Sequence, residues 1–229
     1  MDVKPWNKDI KQLREIILKQ DKIEESKTLA LSLHSMVHSS EMSGLLIKTF
    51  EDELWEDLDE YTFRTSTNEK GRTIAYGLWH SARIEDITMN LLVFGDEQVF
   101  NLGNWKEKIN SNIVDTGNAM TDDGILQFSK NINMLELQNY RIAVGRKSRE
   151  VIKNLTSGDM KRKFEKYRLQ RVIDEGAVLD VDASNWLIDF WGRKSVSGII
   201  LMPATRHHVV HINESFSAKK KFKHNKIQD

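Results

Sequence analysis

Cysteine is absent from the 229 residues. That removes disulfides, thiolate metal ligands and a protein-borne nucleophilic thiol from any account of the chain. A metal would have to be held by histidine and carboxylate, and thiol chemistry would need a thiol from solution. Proline is nearly absent as well, occurring only at Pro5 and Pro203. With so few breaks, long segments are free to follow a 3.6-residue apolar period, and the chain reads as all-α. Charge of one sign is missing too, since 34 Lys and Arg balance 34 Asp and Glu. That balance takes away the electrostatic argument for nucleic acid or an anionic membrane as partner. No stretch approaches the ~20 apolar residues of a membrane span, and the opening MDVKPWNKDIKQL has no apolar leader run, so a cytoplasmic protein is expected.

What the chain does have is a 39% hydrophobic and 30% charged composition, enough for one substantial core and a single domain. Apolar periodicity predicts helices near residues 7–24, 26–59, 71–94, 122–155, 159–174, 184–191 and 195–216. The second, third, fourth and last are long enough to form a four-helix bundle over about 26–216, with the others as accessories. Residues 95–124 read as a long loop of the kind that lies over a site, with Trp105 placed to act as a lid. The lysine-rich residues 217–229 read as a solvated tail.

The histidines carry the chemistry. His207 and His211 are four apart, about 40° on a helical wheel, so both imidazoles can reach one ion. Val196, Ile200, Ala204 and Glu214 share their face, while His208 lies about 100° away and belongs elsewhere. His80 sits in an apolar stripe formed by Thr73, Tyr76, Gly77, Ile84, Ile87 and Leu91. A histidine there needs partners for both ring nitrogens, from a metal plus a hydrogen bond or from two protein groups.

The segments TIAYGLWHSARIED and MPATRHHVVHINE resemble the DinB-like superfamily of metal-binding helical bundles, which includes thiol-dependent S-transferases and maleylpyruvate isomerase-like proteins. The resemblance spans about residues 27–216. It implies a three-histidine site of His80, His207 and His211 for one divalent transition metal, zinc or nickel first, with an open position. It further implies activation of a small thiol or water for S-transfer or isomerisation, with hydrolysis second. A non-enzymatic metal-dependent binding or stress-response protein is the alternative, and homodimer formation is open.

The remaining candidates are weighed around that triad. Glu214, one turn past His211 on the same face, is placed to orient that imidazole, with a proton-accepting or purely helix-ending role as alternatives. Tyr76 is placed either to offer a hydroxyl to a pocket or to pack in the core. His34 and His38 form a second HxxxH on the flank of their helix. Direct metal ligation, pocket lining or support of a ligand, and plain exposure are all open for them. Glu85 and Asp86 should point away from His80, towards Arg83, Arg206 or a neighbouring helix. Pro203 should kink the helix that bears His207 and His211.

Overall fold

The computed structural model describes the backbone of residues 1–228 and the side chains of residues 1–221. Helices α1 (Lys4–Ile16) and α2 (Ile23–Met36) open the chain, with Pro5 in the first turn of α1, where its missing N–H leaves no bond unmade. The expected helix at 26–59 is broken. Ser39 accepts from the Glu41 N–H to start the one-turn α3 (Ser40–Ser43), and Gly44 ends it with a left-handed φ of 72°. Thr49 and Asp52 then form a reciprocal capping box for α4 (Phe50–Trp55), and Asp59 caps α5 (Glu60–Thr65).

α6 (Ile74–Asp86) starts where the Thr73 hydroxyl accepts from the Tyr76 N–H. It runs on as a π-helix through Ile87–Phe94 to a left-handed Gly95. The expected loop at 95–124 contains two short helices, α7 (Val99–Leu102) and α8 (Trp105–Ile109). The expected helix at 122–155 is two, α9 (Asp122–Asn131) and α10 (Met134–Asn154). Ile132 and Asn133 are extended between them, and Asn133 caps the second. Four more follow: α11 (Ser157–Lys161), α12 (Lys166–Asp174), α13 (Asp182–Gly192) and α14 (Val196–Leu201). A π-wound turn at Met202–Arg206 leads into α15 (His207–Gln228). The chain is all-α, and the described residues contain two isolated β-bridges and no strand.

α6 is the central element, since every one of its side chains is buried. α15 packs along it from one side and α10 from another, with α2 against α10 and α1 against α2. Trp79 anchors the centre. It is fully buried, with the rings of Phe100 and Phe128 at 5.4 Å and that of Tyr140 at 6.2 Å. Burying a large apolar side chain of this kind is worth roughly 1.5–3 kcal/mol. Gly77 sets how closely α15 can approach, because a Cβ there would lie 3.3 Å from Ser215 Oγ and 3.8 Å from the His211 ring. α15 also extends through residues expected to form a tail. Ala218 and Lys219 are buried, and Lys219 Nζ donates to the carbonyls of Leu54 and Glu56, so a charged residue is accommodated by capping a neighbouring helix end. No helix of the described residues is long and apolar enough to cross a membrane.

Candidate metal centre

His80, in the middle of α6, meets His207 and His211 from the first turns of α15. Ring centroids are 5.0 Å apart for His80–His207, 4.9 Å for His80–His211 and 4.6 Å for His207–His211. His80 Nδ1 lies 2.7 Å from the carbonyl oxygen of Thr116. A carbonyl can only accept, so this nitrogen carries the proton and Nε2 keeps its lone pair. The Nε2 atoms of His207 and His211 are 3.2 Å apart. Two nitrogens each about 2.0–2.1 Å from a tetrahedral ion are separated by about 3.3 Å. The three residues offer ligand atoms within 4.8 Å of one another and could hold a metal ion.

The protonation states fit that use. Burial, with the nearby His211, pushes the His80 pKa down to about 3. Burial and the neighbouring imidazoles hold His207 well below the ordinary value. His211 is lowered by burial despite the opposing pull of Glu214. All three are therefore neutral at pH 7, the form that binds a metal. Glu214 stands beside His211, its Oε2 3.2 Å from Nδ1 at ion-pair distance, without hydrogen-bond geometry. Burial opposes its ionisation, but His211, Lys70 and Arg72 outweigh that and hold it far below the usual carboxylate range. Lys70 Nζ donates to Glu214 Oε1 at 2.7 Å and Arg72 Nη1 to Oε2 at 3.2 Å.

Two devices fix the geometry. Pro203 lacks the N–H a regular helix needs, so the chain widens into the π turn at Met202–Arg206, and Thr205 Oγ1 caps the Ile200 carbonyl at 2.7 Å. His207 starts α15 directly after that turn. On the other side, Arg83 holds the segment that carries Thr116. Its Nε and Nη2 donate to the Val114 carbonyl at 3.1 and 2.7 Å. Asp86 accepts from Arg83 Nη1 at 3.1 Å and from the N–H groups of Val99 and Phe100 at 2.9 Å each. The Asp86–Arg83 pair is the one expected.

His34 and His38 are neither exposed nor in the pocket at His80, which removes those two of the readings open for them. Both are fully buried around Glu85, as is His208. His34 Nε2 is 2.6 Å from Glu85 Oε1, while His38 Nε2 and His208 Nε2 are 2.8 and 2.7 Å from Oε2. Glu85 thus serves imidazoles and not an arginine. Burial disfavours its charge, but His38, His34 and His208 outweigh that and keep it ionised. His38 fits because Gly145 on α10 has no side chain; a Cβ there would lie 3.1 Å from His38 Nδ1. This grouping could also hold a metal ion. Its separations, however, are those of N–H···O hydrogen bonds and shorter than the edges of a tetrahedral ligand set of about 3.3 Å. His208 Nδ1 faces Arg141 Nη2 at 3.4 Å, and Arg141 makes two 2.8 Å bonds to the buried Glu51.

Tyr76 takes the core alternative, and Trp105 departs from expectation. Tyr76 stacks on His80 at 5.5 Å and donates its hydroxyl to Gly117 O at 3.1 Å, so it backs the ligand and does not line a pocket. Trp105 packs on Tyr140 at 5.7 Å, drawn to the aromatic cluster of the core. The long connection still covers the site, through Thr116 and Asn118. A cavity of about 390 Å³ opens onto His80, His207 and His211. Trp186, Leu187, Phe190, Met202, Pro203 and Val210 form its apolar wall, and Lys70, Arg72, Asn118 and Glu214 line it as well. Trp186 and Phe190 are i,i+4 neighbours on α13, a spacing that could have been read from the sequence as one helix face. Compared with known proteins, the chain matches no family model and no curated protein.

Proposed function

We propose that this chain is a DinB-like four-helix bundle, with α2, α6, α10 and α15 as its long helices. In this reading it binds one divalent transition metal through His80, His207 and His211. It activates a small thiol, or water, for S-transfer or isomerisation, with hydrolysis as the second reaction class. The observation that carries this reading is the open cavity at the triad. Among the described residues the group supplies three protein donors, and a 390 Å³ space faces them. Three ligands plus an open position is the catalytic arrangement, whereas a structural zinc site closes with four. When bound, such a metal lowers the pKa of a thiol or water at its open position and so provides a nucleophile at neutral pH.

The residues of the chain supply the rest. Thr116 fixes the His80 tautomer, Glu214 sits against His211, and the apolar wall flanks the open side of the triad. With no cysteine in the chain, the thiol comes from solution. In the cobalt-substituted full chain, adding 2-mercaptoethanol or free cysteine should produce a sulfur-to-metal charge-transfer band. His80→Ala and His207→Ala should lose that band together with the metal. A cobalt spectrum indifferent to both thiols, in protein whose metal still exchanges, rules out thiol activation and leaves hydrolysis or a helix-tying role.

A further inference from the structure

The cavity is polar and positively charged at one place and apolar along most of its wall, and that asymmetry bears on the substrate. Lys70 and Arg72 both reach Glu214, so two cations share one carboxylate. The Lys70 side chain remains 63% exposed and that of Arg72 35% exposed, which leaves donor capacity facing the opening. The histidines at the floor are neutral and add no charge of their own, so the positive charge here is that of Lys70 and Arg72. Nearby, Asn118 Oδ1 is buried without a hydrogen-bond partner. Being an acceptor, it calls for a donor on the ligand and takes no part in holding an anionic group.

The opposite wall is built for an apolar group. Trp186 is 52% exposed and Val210 40% exposed, so apolar surface is open along this wall. The Trp186 indole N–H is already spent on Ala183 O at 3.0 Å, so the ring offers only its apolar faces. Phe190 stands 6.4 Å from it at 60°, and Lys194 Nζ sits 4.3 Å from the centre of the Phe190 ring. A volume of about 390 Å³ is in the range of small-molecule sites.

We infer that the cavity takes an amphipathic organic anion, its carboxylate or similar group read by Lys70 and Arg72 and its apolar or aromatic body laid on Trp186 and Phe190. The inference rests on the metal-site reading above for the placement of the reacting end. The charge preference itself follows from residues outside the triad.

The test is calorimetric titration of the zinc-loaded full chain with three matched probes: phenylmethanethiol, its para-carboxylate and its para-aminomethyl derivative. The carboxylate probe should bind about tenfold tighter than the neutral one, and the cationic probe most weakly. Lys70→Gln and Arg72→Gln should each erase most of that advantage while changing affinity for the neutral probe by no more than about twofold. Trp186→Ala should weaken the neutral and carboxylate probes alike. A sulfur-free pair, p-toluate and p-methylbenzyl alcohol, repeats the comparison. The toluate preference must also disappear in Lys70→Gln, since a carboxylate that merely ligated zinc would keep it. Equal affinity for neutral and anionic probes, or preference for the cation, overturns the inference. If sulfur adds no affinity but the charge ranking holds, the thiol reading fails and the anion site stands.

Discussion

At the scale of single residues, the two histidine clusters should fail differently. If the proposed centre is right, His80→Ala or His211→Ala removes one of its three donors and should abolish metal binding while leaving the fold intact. His208→Ala should not change metal binding but should lower stability by about 2–3 kcal/mol, because it takes away one of the three imidazoles packed against a fully buried carboxylate. Metal analysis and urea unfolding of the purified variants check both, and metal loss in His208→Ala would contradict the separation of the clusters. The triad was legible because HxxxH at 207–211 and a histidine inside an apolar stripe are each readable from one helix. The Glu85 cluster was not, since its members come from α2, α6 and α15 and no single wheel contains them. The signals were nevertheless on the page of the sequence. Glu85 points about 140° from His80 and His208 about 100° from His207, and a second HxxxH stood at 34–38 without a destination.

At the scale of elements, periodicity located the helices and capping residues decided where they break. Residues 26–59 and 122–155 each keep an apolar period through a cap that interrupts them, Ser39 and Thr49 in one and Asn133 in the other. A period counts apolar positions, whereas a cap acts through one hydroxyl or amide on the backbone, so the first can run unbroken across the second. Pro203 was the break that did announce itself, and its consequence is testable. Pro203→Ala restores the missing N–H and favours a regular helix through Met202–Arg206. Regular winding would rotate α14 against α15, and the wall residues Met202 and Pro203 would shift relative to His207. The expected outcome is unchanged or slightly raised thermal stability with metal affinity reduced about tenfold or more, read by competition with a chromophoric chelator. Unaltered affinity would mean that the π turn plays no part in aiming His207.

At the scale of the whole molecule, a single core holds an unusual load of histidine that folding keeps neutral. His34, His80, His207, His208 and His211 all have pKa values lowered, primarily by burial, those of His80 and His208 to about 3. The unfolded chain takes up protons on these residues below about pH 6.5, while the folded chain does not, so stability rises with pH through that window and acid favours unfolding. Glu85 and Glu214 act in the same direction at lower pH. Their folded pKa values are depressed, so their contribution is present above the ordinary carboxylate range and is lost as pH falls through the folded values. Each histidine contributes about 1.4 kcal/mol per pH unit once its unfolded form is protonated. Five acting together would remove at most about 6 kcal/mol between about pH 6 and pH 5, comparable to the lower end of a typical net stability of 5–15 kcal/mol. The metal-free protein should therefore lose several kcal/mol of stability in that interval, and its acid unfolding should be accompanied by an uptake of several protons per chain. Zinc should move the transition to lower pH, because the ion binds the same three imidazoles in the neutral form and only in the folded chain. Circular dichroism against pH with and without zinc, beside urea midpoints from pH 8 to 5, measures both effects. A metal-free profile flat over that range would mean that the buried histidines are already protonated in the fold. A zinc-independent midpoint would mean that the triad is not where the ion binds.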